Sequence, residues 1–200
     1  MLILGIDPGT ATTGFGVIEK KTDEDFKIID WGLIETNKET KPNIRLHEIH
    51  EQMLMILDRF HPDILVMEKV FMFNNAKTVI RVSQAQGVIL LASASSGFEV
   101  EVFEYAPQTI KKLITGNGRA NKKEVEKHVH NILGEKVNDK ELRDGKYNII
   151  KKKKAYLDNA FDALAIALCH LISLHEAELP PFIENKLPVE DVEKKKKKKK

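Results

Sequence analysis

The chain has 200 residues, 42% hydrophobic and 31% charged, with one cysteine. That suffices for one domain with a real core, excludes a disulfide framework and fits a reducing, cytoplasmic setting; no apolar run is long enough to span a membrane, and the N-terminus reads as a strand rather than a signal peptide. The net charge of +2 conceals seven consecutive lysines at 194–200, without which residues 1–193 carry −5, so nucleic-acid binding would have to rest on local basic patches.

In chain order, Leu2-Ile3-Leu4-Gly5-Ile6 is a continuous apolar run ending in Asp7, as a strand buried on both faces would read. Pro8 to Gly14 reads as a tight turn, and Phe15 to Ile18 and Phe26 to Glu35 as hairpin strands. Ile44, Leu46, Ile49, Met53, Ile56 and Leu57 recur near the helical period and predict a helix over 42–60. His61-Pro62-Asp63 leads into the run Ile64-Leu65-Val66-Met67, which ends in Glu68. A second helix is predicted over 75–95, with Val79, Val82, Ile89 and Ala92 on one side and Gln84 and Gln86 at its surface or in an interface. A fifth strand follows at 100–105, then helices over 107–114 and 121–133 joined by Thr115-Gly116-Asn117-Gly118-Arg119, a turn whose backbone N–H groups and Arg119 would face phosphate. Residues 134–157 read as a polar insertion. A last helix is predicted over 158–175, where Asp162 heads a core-facing stripe of Ala165, Ile166 and Cys169. His128 and His130 read as surface residues of their helix and His170 as a packing residue. The domain is expected over 1–176, with 177–200 a disordered tail ending in polylysine.

An acid closing a buried strand is costly to desolvate unless something cationic meets it. Asp7, Glu68 and Asp162 on three buried elements therefore point to a divalent-metal site; oxygen ligands suit Mg²⁺ or Mn²⁺, and no His/Cys cluster suggests zinc. The bland alternative needs three separate buried ion pairs. Lys69, Lys77, Arg81, Lys111, Lys112, Arg119, Lys122, Lys123 and Lys127 fall in the two segments flanking these acids, as phosphate tracking on an acidic body would require.

Three strands, then helices alternating with strands, with acids on the first and fourth strands and the last helix, is the order of the ribonuclease H-like fold. This is an α/β fold with a mixed five-stranded sheet flanked by helices. Four motifs in order resemble the RuvC family of Holliday junction resolvases: Leu4-Gly5-Ile6-Asp7-Pro8-Gly9-Thr10 with Thr13 to Ile18; Glu68 to Ala76; Tyr105-Ala106-Pro107 through Lys122; and Asp162 to Ala167. The resemblance implies that Asp7, Glu68 and Asp162 hold two Mg²⁺ ions and that Lys111 and Lys122 neutralise the phosphate. It implies that Phe71 stacks at the junction centre, with Asn75, Lys77, Arg81, Lys112, Arg119 and Lys123 on DNA. It further implies paired symmetric nicks in a four-way DNA junction by a homodimer working with a junction-migrating helicase complex. The family often carries an acid three residues before the position of Asp162, where this chain has Asn159; Asp158 is either a substitute ligand or the helix N-cap. Two other readings stay open: a junction-binding protein with weak or no nuclease activity because of Asn159, and another ribonuclease H-like nuclease. The opening turn also resembles the phosphate loop of actin-like ATPases, but 200 residues leave no room for their second domain.

Overall fold

The computed structural model describes residues 1–22, 25–70, 76–133 and 157–178, without the side chains of 157, 158 and 176–178. Five strands and five helices are present among them: β1 (Leu2–Asp7), β2 (Thr12–Lys20), β3 (Phe26–Glu35), α1 (Pro42–Phe60), β4 (Ile64–Glu68), α2 (Ala76–Ala94), β5 (Glu101–Tyr105), α3 (Pro107–Thr115), α4 (Lys122–Leu133) and α5 (Leu157–Glu178). The strands form one sheet in the order β3-β2-β1-β4-β5, antiparallel through β3, β2 and β1 and parallel through β1, β4 and β5. This is the mixed sheet expected from the sequence. The expected tail lies outside the described residues except for 177 and 178, which continue α5, and the expected insertion except for Leu157.

Strand alternation splits the core in two. Leu4, Ile6, Leu65 and Met67 pack under α1 and α2 with Ile49, Met53, Ile56, Leu57, Ala85 and Ile89. Ile3, Ile64 and Val66 face the other way, toward Ile110 and Ile114 of α3, Val129 and Leu133 of α4 and most of α5. Asp7 and Glu68 continue the second set by parity, which turns both acids toward α5.

Two expectations need correction. Thr12 to Gly14 belong to β2, pairing with Glu35, Ile34 and Leu33, so the turn spans only the residues before Thr12. The Thr13 hydroxyl closes that turn, donating to Gly9 O at 2.7 Å and accepting from Gly9 N at 3.2 Å. Gln86, expected at the surface or in an interface, is buried within the chain, and its amide donates to the Glu104 carboxylate on β5. A bulge in β3 also departs from simple alternation: Val17 pairs with Asp30 but Ile18 with Ile28, which puts Phe26, Ile28 and Trp31 together on the α5 side.

What lets α5 reach the sheet is glycine. A methyl placed at Gly5 would strike the Ala163 carbonyl oxygen and lie 2.7 Å from Ala167 N. One at Gly14 would strike the Asn159 carbonyl, and one at Gly16 would lie 2.7 Å from Leu164 Cδ2. Residues 159, 163–164 and 167 are successive turns of α5, and Ala160, Ala163 and Ala167 are fully buried along it. The helix therefore lies backbone-to-backbone on β1 and β2, a use of strand glycines that side chains forbid. Gly5→Ala should destabilise the protein by about 2 kcal/mol or more, because the obstruction is backbone that cannot rotate away. Gly87→Ala is the contrasting case: Gly87 lies within α2 with nothing within 4 Å of a added methyl. It should stabilise by about 0.5–1 kcal/mol. Urea denaturation of both variants checks the pair of signs.

Candidate active site

Asp7 and Glu68 are the last residues of neighbouring parallel strands. Gly5 pairs with Val66 and Ile6 with Met67, so the two acids are next in register. Asp162 comes down on them from α5, whose following residues Ala165, Ile166 and Cys169 are buried as the helical stripe predicts. Lys111 reaches the same place from α3 and Lys122 from the first position of α4. The two ends are tightly capped. Gly116, with φ of 77°, closes α3 with its N–H on Lys112 O, while Asn121 and Glu124 exchange side-chain-to-backbone hydrogen bonds of 2.8 and 3.1 Å at the start of α4.

Asp7, Glu68, Asp162, Lys111 and Lys122 line one open cavity of about 190 Å³, floored by Pro107, Ile110, Val125, Ala165 and Ile166. Three carboxylates thus share a partly apolar recess with two lysines. Burial first, then the Asp162 and Glu68 charges, push the Asp7 carboxyl up to about 7 against a smaller opposing pull from Lys122. Glu68 is raised by burial and by Asp162, and Lys111 counteracts this. The Lys122 ammonium donates to Asp162 Oδ2 at 3.0 Å, with side chains 52% and 35% exposed. An ion pair that wet contributes only about 0.2–1 kcal/mol.

Such a set fits a divalent cation by its chemistry. The donors are hard oxygens, and burial, with the charge of the neighbouring acids, raises the Asp7 and Glu68 carboxyls. The acids face a common cavity rather than a single point: among the described residues, no three His, Cys, Asp or Glu groups are already gathered closely enough to hold an ion. Asp162 is instead engaged by Lys122.

The remaining expected contacts fall into three groups. Lys112, Arg119 and Lys123 are exposed on the rim formed by α3, the 116–121 loop and α4. Four of the loop's amides are engaged within the chain rather than presented to phosphate: Gly116 N donates to Lys112 O, Asn117 N to Thr115 Oγ1, Arg119 N to Asn117 Oδ1 and Ala120 N to Asn117 O. The Arg119 side chain, exposed, keeps that role. Lys77 and Arg81 sit apart, on a groove of about 330 Å³ between α1 and α2 that Thr10, Arg45, Ile80 and Gln84 also line. Phe71, Asn75 and the Asp158 side chain lie outside the described residues. Asn159 is half-buried one helical turn before Asp162.

Arg45 escaped the sequence reading. Its guanidinium donates to Thr36 Oγ1 at 2.8 Å and to Thr10 O at 2.6 Å, tying α1 to the segment that follows Asp7. An arginine in the first turn of an amphipathic helix carries no local mark of such a role. His128 and His130 lie on α4 as expected, with the His130 ring 4.8 Å from Phe161. His170 packs beneath Phe103 and bonds the Tyr105 hydroxyl at 2.8 Å.

The raised Asp7 has a consequence for stability. The folded chain holds this proton more tightly than the unfolded chain, so Asp7 favours folding below about pH 4 and opposes it increasingly as pH rises toward 7. Asp7→Asn should therefore stabilise the metal-free protein at pH 8 by on the order of 2–4 kcal/mol, with the gain vanishing near pH 4. Thermal unfolding of both proteins in chelator across that range measures it; a gain equal at both ends would place the effect elsewhere.

The family model described as crossover junction endodeoxyribonuclease RuvC matches residues 3–170. The RuvC of Caldicellulosiruptor saccharolyticus is 38% identical over 173 residues, 86% of this chain and 93% of that protein. The RuvC of Syntrophomonas wolfei is 37% identical over 185 residues, 92% and 95% of the two chains. Among solved structures, Thermus thermophilus RuvC in complex with a Holliday junction substrate superposes with a TM-score of 0.70 at 28% identity, covering 88% of this chain and 96% of that one. The yeast mitochondrial Holliday junction resolvase shares the fold, with a TM-score of 0.61 at 16% identity over 88% of this chain and 80% of that one. The fold, the order of its motifs and this extended similarity place the chain in one family: it belongs to the RuvC crossover junction endodeoxyribonucleases.

Proposed function

We propose that this protein is a Holliday junction resolvase, an endodeoxyribonuclease that nicks two strands of a four-way DNA junction symmetrically. The observation that carries the chemistry is the convergence of Asp7, Glu68 and Asp162 with Lys111 and Lys122 on one cavity. Two Mg²⁺ ions, or Mn²⁺ in their place, would supply Lewis-acid stabilisation to the scissile phosphate and the leaving 3′ oxygen.

The chain's own residues do the rest. Asp7, Glu68 and Asp162 would hold the cations, with Asn159 or Asp158 as a further oxygen donor. Lys111 and Lys122 approach from α3 and α4 and offset charge as it develops on the phosphate. The apolar floor of Ile110, Val125, Ala165 and Ile166 excludes water from one side, so the approach to phosphorus is from the open mouth. Lys112, Arg119 and Lys123 follow the backbone on one side of the site. Lys77 and Arg81 follow it along the α1–α2 groove, where Arg45 adds a third cation. Phe71 stacks at the junction centre, and Asn75 contacts DNA. Two opposed cuts call for two sites, and a C₂ homodimer supplies them with the symmetry of the junction. We further propose a junction-migrating helicase complex as partner and the cytoplasm as location; among the described residues no helix is long and apolar enough to cross a membrane.

Cleavage of a mobile four-way junction in Mg²⁺ tests this, run beside linear duplex and an RNA–DNA hybrid. Paired, ligatable nicks confined to the junction are expected, with rates falling at least about 100-fold in Asp7→Asn and Asp162→Asn. Cutting of the hybrid instead would make the chain a different ribonuclease H-like nuclease.

Asn159 favours a second reading, since a neutral amide stands one turn before Asp162 where an acid would add charge to the site. On that reading the wild-type chain binds junctions without cutting them. Asn159→Asp separates the two: a several-fold gain at low Mg²⁺ fits a working but weakened site, whereas cutting that appears only in the variant establishes the binding-only reading.

A further inference from the structure

The carboxylate site of the proposed resolvase contains a contact that bears on how it is loaded, and the inference here rests on that site. Lys122 Nζ lies 3.0 Å from Asp162 Oδ2, so a lysine already engages one of the three carboxylates that a divalent cation would need. Its charge also reaches Asp7, the most strongly perturbed acid of the set. Lys111 stands toward Glu68 without an ion pair of that kind, so the two lysines are not equivalent.

Position makes the Lys122 contact exchangeable. The backbone of Lys122 is fixed by the Asn121–Glu124 capping pair and by the burial of Val129 and Leu133 further along α4. Its side chain is 52% exposed, and its ion pair with Asp162 lies partly in solvent. The ammonium can therefore change partner by side-chain rotation alone, with no cost to the helix. It lies on the rim that also carries Arg119 and Lys123, where a DNA backbone would pass.

We propose that Lys122 is an exchangeable counter-ion of Asp162, which holds the carboxylate before DNA arrives and yields it to a divalent cation once a DNA phosphate takes the ammonium. A cation entering while Lys122 remains at Asp162 must share that carboxylate with a second positive charge. A phosphate removes the conflict, because it offers Lys122 an equivalent anion just outside the cavity. Metal uptake and DNA binding then strengthen one another, and by linkage the coupling runs equally in both directions. The effect is a site that acquires its full metal complement on substrate.

Mn²⁺ affinity, read by calorimetry and by the loss of the free-ion electron paramagnetic resonance signal at fixed pH, tests the proposal without any cleavage. Lys122→Met should bind Mn²⁺ about five- to tenfold more tightly than the wild type. Lys122→Arg, which keeps the charge, and Lys127→Met, which removes an exposed lysine from the same helix, should stay within about twofold of it. With the nicked duplex product present, in which no scissile bond remains, the wild-type affinity should rise to within about twofold of Lys122→Met. Equal or weaker binding by Lys122→Met without DNA, or a gap that persists with DNA, would overturn the exchange. Mn²⁺ binding that survives both Asp7→Asn and Glu68→Gln would overturn the site itself.

Discussion

Everything at the site depends on how closely α5 lies on the sheet. Asp7 and Glu68 are brought together by β-sheet register alone, but Asp162 belongs to a helix and joins them only if that helix rests almost directly on the strands. Gly5, Gly14 and Gly16 leave room for it, and Ala160, Ala163 and Ala167 present a side of the helix that is barely wider than its backbone. A Leu164 side chain wedged over Gly16 then fixes the height of the helix along β2. The same contact buries the following turns of α5 among Ile3, Ile18, Val66, Val129 and Leu133, so the core that stabilises the fold also aims the third acid. Packing and the assembly of the proposed site are here one constraint.

The cavity so formed works against stability. Three acids face two lysines in a recess with an apolar floor, and burial and mutual repulsion raise Asp7 and Glu68. A fold selected only for stability would replace one of these acids or bring the lysines into closer pairs. Instead the close pair that the described residues show, Lys122 with Asp162, is partly in solvent and weak. Unresolved negative charge at the ends of parallel strands, next to cationic side chains, is what a site must keep in order to take up cations and polyanionic substrate together.

Much of this was legible in the chain because it is local. An apolar run ending in an acid is a strand delivering a carboxylate, and both Asp7 and Glu68 carried that mark; Asp162 carried the helical counterpart, an acid heading a buried stripe. What stayed hidden depends on elements meeting. The strand glycines and the helix alanines were each visible, the glycines as turn or strand residues and the alanines as core. Their complementarity appears only when α5 is laid on β1 and β2. Gln86 looked like surface because nothing in α2 announces Glu104 across from it on β5. The amides of Asn117 and Arg119 looked available because their acceptors, Thr115 Oγ1 and Asn117 Oδ1, are short polar side chains whose direction no pattern predicts. Arg45 was missed for the same reason, since its partners Thr10 and Thr36 are distant in sequence.

The central claim is that the three acids, gathered by the seating of α5, form one cation site. Crystals of the protein bound to nicked duplex, soaked in Mn²⁺ and measured for anomalous scattering, test it most directly. The account predicts anomalous density in the cavity between Asp7, Glu68 and Asp162, ligated by all three carboxylates, with none retained after Gly5→Ala displaces α5. Density placed elsewhere on the chain, or bound at Asp7 and Glu68 with Asp162 taking no part, would contradict it.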